Sequence, residues 1–72
     1  MTFTVPSEFL FQMFLDACAA QGVQLFADDT HPTPDGCASM QGGLLTVLLV
    51  VPDQAKSDII TAAVEAQGGS PA

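Results

Sequence analysis

LLTVLLVV, residues 44–51, is the longest apolar stretch of the chain and decides the fold. Its eight residues lie between Gly42-Gly43 and Pro52, which is typical of a strand. The stretch is too short to cross a bilayer, because that takes about 20 residues. Successive side chains of a strand point to opposite faces, and both faces of this one are apolar. We therefore expect the central strand of a small sheet, with both faces covered.

The segments around this strand predict the other elements. Alternating apolar and polar residues predict strands at 1–5 and 23–28. Two helices are predicted, over about 8–21 and 53–67. Residues typical of helix starts and ends delimit them, namely Ser, Pro-Asp and Gly. The tail, residues 69–72, is expected to fray.

The element order β-α-β-β-α resembles a ferredoxin-like fold that lacks its last strand. The resemblance implies one α+β domain over residues 1–72, with a three-stranded antiparallel sheet and two helices on one face. Strand 44–51 would lie in the middle of that sheet. Its second face would be covered by a bent hairpin arm or by another protein molecule.

A turn signature, Thr33-Pro34-Asp35-Gly36, lies between the second and third predicted strands. Residues 23–51 are therefore expected to form one long hairpin that turns at Pro34-Asp35. Gly42-Gly43 would then be a bulge or bend within its second arm. If the hairpin tip is unpaired, residues 28–43 form a loop instead.

The charge balance restricts the partners. The sequence holds eight carboxylates, one Lys and no Arg, for a net charge of −7. Proteins bind nucleic acids through Lys and Arg, so this composition argues against direct binding to DNA, RNA or an anionic membrane. A basic protein surface is the favoured partner. The alternative is that the charge only keeps the protein soluble.

Half of the carboxylates fall on the outward faces of the predicted helices. Glu8 and Asp16 lie on the first helix, and Asp58 and Glu65 lie seven residues apart on the second. A second acidic patch is expected at the hairpin tip. The predicted partner-binding carboxylates are Glu8, Asp16, Asp28, Asp29, Asp35, Asp58 and Glu65.

The first predicted helix carries more large apolar residues than one sheet can bury. Its sheet-facing side is expected to be centred on Leu10 and Phe14. The surplus predicts an apolar contact with a partner or with a second copy, made by Phe9, Phe11 and Leu15. The alternative is a cleft against the second helix that buries one of the flanks.

The residues with reactive side chains indicate no catalytic or metal site. Cys18, His31 and Cys37 are 13 and 6 residues apart, which matches no zinc pattern. His31 lies near Asp28 and Asp29, but no nucleophile stands at a recognisable spacing. We expect no enzyme activity, no metal and no cofactor. No basic leader precedes the apolar residues 9–15, so we expect a cytoplasmic protein with reduced cysteines; a Cys18–Cys37 disulfide is the alternative.

In size and charge the chain resembles the small acidic inhibitors of phages, and among them the anti-CRISPR proteins. The shared features are the net charge of −7, the single Lys56 and the acidic helix faces named above. The resemblance implies an inhibitor that occupies the basic groove of a CRISPR surveillance complex and keeps target DNA out. The alternative function is a homo-oligomeric structural or assembly module of phage or bacterial origin, with a homodimer as its simplest form.

Overall fold

The computed structural model describes residues 1–27 and 35–72, which form a small α+β domain. Its elements, in chain order, are β1 (Thr2–Thr4), α1 (Phe11–Ala20), β2 (Leu25–Phe26), β3 (Gly36–Gln41), β4 (Leu44–Leu49), α2 (Gln54–Glu65) and β5 (Ser70–Pro71). The predicted fold class, with two helices, is confirmed.

The central strand is β4, as its two apolar faces predicted. The sheet has the order β2-β3-β4-β1-β5, and β4 pairs antiparallel with both β1 and β3. In that register Thr46 lies between Thr2 of β1 and Ser39 of β3. The sheet differs in detail from the predicted one, because it is mixed and has five strands among the described residues. The parallel pair is β2 with β3.

The expected fraying of residues 69–72 is wrong. Ser70 and Pro71 form β5 and pair antiparallel with β1, and the Ala72 N–H donates to the Thr2 carbonyl at 3.0 Å. Gly68, at φ +85°, turns the chain from α2 back to the sheet. Proline suits this position because an edge strand leaves one row of N–H groups unpaired.

The expected hairpin over residues 23–51 is also wrong. The antiparallel hairpin consists of β3 and β4, and Gly42-Gly43 is its two-residue turn, with Gln41 opposite Leu44. Gly42 has φ +61°, as the first central residue of a type II′ turn requires. Of the predicted turn, Thr33 and Pro34 lie outside the described residues, and Gly36 begins β3.

Both helices pack on one face of the sheet, as expected. The core lies between them and the inner sheet face, and each element contributes at alternating or helical spacing. Its buried side chains are Phe3, Val5, Phe9, Phe14, Cys18, Val23, Leu25, Ala38, Leu45, Val47, Ile60 and Val64.

Helix α1 begins at Phe11 rather than at Glu8, and Ser7 is not its N-cap. The hydroxyl of Ser7 donates to Glu8 Oε2 at 3.3 Å instead. The side chain of Gln67, at the end of α2, satisfies the backbone at the start of α1. The Leu10 N–H donates to Gln67 Oε1 at 2.9 Å, and Gln67 Nε2 donates to the Leu10 carbonyl at 3.1 Å. Helix α2 begins as predicted, with Asp53 as N-cap.

The predicted surface role of Phe9 is wrong, because its side chain is only 5% exposed. Phe9 precedes the helix, in a turn closed by its N–H to the Pro6 carbonyl, so helical spacing does not apply to it. Phe11 and Leu15 are half-buried against the core. The sheet-facing side is centred on Phe14 and Cys18 rather than on Leu10 and Phe14. At 100° per residue this is a rotation of about 40°. Leu10, at 56%, is exposed instead.

Candidate functional site

The exposed carboxylates of the described residues lie on one side of the molecule. Among the described residues, the exposed carboxylates all lie on α1, on α2 or in the segments that lead into them. They are Glu8, Asp16, Asp53, Asp58 and Glu65. We call the side formed by α1 and α2 the helix layer. The other side is the outer face of the sheet.

Two of the five helix-layer carboxylates line grooves on either side of α1. Asp58 lines the groove between α1 and α2, beside Ala17. Asp16 lines the groove between α1 and β2, on the other flank of α1. Each accepts a hydrogen bond from a glutamine one turn earlier, Gln54 at 2.8 Å and Gln12 at 2.9 Å. The acidic surface is thus broader than the single patch expected from the helix wheels.

Asp35 differs from the other predicted contact residues because it is paired within the fold. Its carboxylate accepts from Lys56 Nζ at 2.6 Å and from the Gln24 N–H at 2.7 Å. These two hydrogen bonds, the one from Lys56 first, lower the pKa of Asp35. The same pair raises the pKa of Lys56. Asp35 therefore ties β2, β3 and α2 together, and we remove it from the set of partner contacts.

This pair should make part of the stability depend on pH. Because the pKa of Asp35 is lowered in the folded state, the pair contributes to the free energy of unfolding at neutral pH. This contribution is lost as pH falls through the folded pKa of Asp35. Because the pKa of Lys56 is raised, the contribution is also lost when pH rises through the folded pKa of Lys56. A double-mutant cycle with Asp35→Asn and Lys56→Met, read from urea midpoints, should show coupling at pH 7. The same coupling at a pH well below the folded pKa of Asp35 would contradict the pairing.

The pairing of Asp35 leaves the acidic surface without a basic counterpart. Lys56 is the only Lys or Arg of the sequence, and its ammonium group is bound to Asp35. Among the described residues, the five exposed carboxylates then remain without a Lys or Arg partner. The exposed five lie on or beside the helices, so the negative potential of the described surface is concentrated in the helix layer.

The outer face of the sheet carries no charged side chain among the described residues. Along β4 its outward residues are Leu44, Thr46 and Leu48, with Leu44 49% and Leu48 60% exposed. Beside them on β3 lie Cys37 and Ser39. The sequence predicted that β4 has a second apolar face, and none of the described elements covers it.

The two cysteines are free and lie on opposite faces of the sheet. Cys18 is fully buried in the core, and burial raises the pKa of its thiol to about 11. Cys37 is half-buried on the outer face. The alternative of a Cys18–Cys37 disulfide is therefore wrong. Among residues 1–27 and 35–72, no group of three potential metal ligands is found. His31, Asp28 and Asp29 lie outside this part of the chain.

Sequence reasoning missed the Asp35–Lys56 pair and the Gln67 cap. Both join residues far apart in the sequence, by 21 positions for the pair and by 57 for Gln67 and Leu10. The one available signal was composition, because a single Lys among eight carboxylates is expected to find an internal partner.

None of the helices in the described part of the chain is long and apolar enough to cross a membrane. Comparisons with protein-family models, with curated proteins and with solved structures found no match to this chain. Function must therefore be inferred from the distribution of charge and apolar surface described above.

Proposed function

We propose that this protein is a non-enzymatic binding protein whose helix layer occupies a basic, nucleic-acid-binding surface of a partner protein. The observation that carries the proposal is the pairing of Lys56 with Asp35, which leaves the exposed carboxylates of the described helix layer without an ion pair. A surface of this kind attracts Lys- and Arg-rich grooves and repels nucleic acids.

In its concrete form the proposal is an anti-CRISPR-like inhibitor, present in the cytoplasm of a host cell. The helix layer would bind the groove that receives target DNA and exclude the DNA by charge and by volume. The contacts we propose are Glu8, Asp16, Asp58 and Glu65, together with Asp28 and Asp29, which lie outside the described residues. No cofactor or metal is needed for such steric inhibition.

The strand order supports a related proposal about the fold family. Without the short edge strand β2, the order β3-β4-β1-β5 and the alternation of strands with helices match a complete ferredoxin-like arrangement. Strand β5 would be its last strand. This fold hosts many unrelated functions, so the assignment implies no activity.

The test compares two variants of equal net charge. Asp58→Asn/Glu65→Gln neutralises two carboxylates of α2, whereas Thr4→Lys/Ala72→Lys adds two positive charges at the β1–β5 edge. Both reduce the net charge from −7 to −5. If the helix layer is the binding surface, the first variant should bind a basic partner roughly threefold to thirtyfold more weakly at low salt, the effect of two exposed ion pairs.

The second variant should keep most of the affinity, because its added charges lie away from the proposed contacts. Equal losses in the two variants would mean that only net charge matters. Unchanged binding in Asp58→Asn/Glu65→Gln, and also after charge reversal at Asp28 and Asp29, would refute the proposal.

A further inference from the structure

We infer that the groove between α1 and α2 binds a basic, amphipathic helix of the partner protein. This inference rests on the proposed function, because it names the element of the partner that the helix layer receives. The groove has a volume of about 390 Å³. Its lining is apolar except for one amide and one carboxylate, and it consists of Ala17, Gln21, Asp58, Ile59, Ala62 and Ala63.

The apolar residues of the groove are contiguous, because all four line the same cavity. Ile59 and Ala63 lie one turn apart on α2, are half-buried and pack against the core, so they form a fixed floor. Ala17 of α1 and Ala62 of α2 are exposed beside them. An alanine side chain ends at its Cβ, so a third helix can pack closely here, at the interaxial distance of about 8–10 Å that packed helices have.

Charge complementarity determines which helix fits the groove. Asp58 lines the groove, and Glu65 lies two turns later on the same outward face of α2. Neither has a Lys or Arg partner, because Lys56 is bound to Asp35. A neutral or acidic helix would bring these carboxylates no compensating charge. A helix with Lys or Arg beside its apolar stripe would pair with them, so the occupant is basic and amphipathic.

The spacing of the two carboxylates sets the expected pattern of the partner. Asp58 and Glu65 are seven residues apart, which at 1.5 Å per residue is about 10 Å along α2. A helix that lies along the groove has the same rise, so its matching basic residues are also seven positions apart. Its apolar residues between them would contact the alanine walls and the Ile59 floor. This is the helix-in-groove mode of recognition.

The chain offers a matched pair of variants on α1. Ala17→Gln fills the groove, whereas Ala19→Gln makes the same change on the flank of α1 that faces β2. Both alanines are exposed, and both variants keep the net charge of −7. The probe is a synthetic helical peptide of about three heptads, with a stripe of Leu and Ala and with Lys residues seven positions apart beside it. A second peptide has the same residues in an order without helical periodicity.

Binding is measured by NMR titration of the amide signals up to about 1 mM peptide. We expect the amphipathic peptide to shift the signals of Ala17, Ile59 and Ala62, and to bind the wild type and Ala19→Gln alike. Ala17→Gln should weaken binding roughly fivefold or more, because the added atoms overpack the contact. Equal binding of the two peptides, equal weakening in the two variants, or no binding of the amphipathic peptide would overturn the inference.

Failure of this inference is distinguishable from failure of the proposed function. Asp58→Asn/Glu65→Gln and Ala17→Gln are compared for the salt concentration at which each releases a basic protein retained from lysate. Earlier release by both variants supports both proposals. Earlier release by the charge variant alone would leave the helix layer as the binding surface and overturn the groove as its docking site. Unchanged release by both variants would overturn both proposals.

Discussion

Phe14→Ala should strongly destabilise the protein. Phe14 is fully buried at the centre of the core, with its ring 5.9 Å from that of Phe9 and 6.4 Å from that of Phe11. Removing such a ring costs about 3–5 kcal/mol, because the cavity left behind collapses only in part. A 72-residue domain has a free energy of unfolding of about 4–11 kcal/mol, so the loss ranges from about a quarter to all of its stability.

The measurement is urea unfolding followed by circular dichroism, since the sequence has no Trp to report on the core. Met13→Ala is the matched control: it removes the neighbouring apolar side chain, which is exposed on the helix layer. We expect it to change the free energy of unfolding by less than about 0.5 kcal/mol. Similar urea midpoints for the two variants would mean that α1 packs with a different face toward the sheet.

Gly36→Ala should have the second largest effect on stability, after Phe14→Ala. A Cβ at this position would overlap the backbone carbonyl oxygen of Leu48 and lie 3.1 Å from the Leu49 Cα. Both contacts are with the paired strand β4, so relief requires the β3–β4 ladder to separate. Overpacking of this kind costs about 1–3 kcal/mol, and we expect the upper part of that range because backbone must move.

Gly43→Ala is the control for this substitution. Gly43 has an ordinary negative φ, and its nearest neighbour would be the Val5 carbonyl oxygen at 3.6 Å, a normal contact distance. We expect a change of less than about 0.5 kcal/mol. The measurement is again the urea midpoint at a fixed protein concentration. If Gly36→Ala were as stable as Gly43→Ala, the close approach of β3 to β4 would be refuted.

The sequence predicted the parts of the fold that depend on local pattern. The two apolar faces of residues 44–51 indicated a central strand, and helical spacing with Asp53 and Gly68-Gly69 indicated α2. The hairpin was predicted at the wrong place because the chain has two strong turn signals, Pro34-Asp35 and Gly42-Gly43. Local preference does not choose between them. The chain turns at Gly42-Gly43 because the pairing of β3 with β4 buries Ala38 and Val47.

The sequence predicted where several exposed carboxylates lie, but it missed the internal contacts of Asp35 and the burial of Phe9. Composition indicated an acidic surface, and α2 presents Asp58 and Glu65 outward as its spacing predicted. The spacing could not reveal that Asp35 is bound by Lys56, because that contact depends on how β3 and α2 meet. Nor could it reveal that Phe9 is buried, since a helix that begins at Phe11 leaves Phe9 outside the helical spacing.

The proposed binding surface is tested most directly by retention of basic proteins from nuclease-treated bacterial lysate. Immobilised wild type and the equal-charge variants Asp58→Asn/Glu65→Gln and Thr4→Lys/Ala72→Lys would be eluted along a salt gradient, with and without competing DNA. We predict that the wild type and the sheet-edge variant retain a nucleic-acid-binding protein that salt or DNA releases, and that the α2 variant releases it at lower salt. If the three proteins retain nothing basic, or release it at the same salt concentration, the account of the helix layer as a binding surface is contradicted.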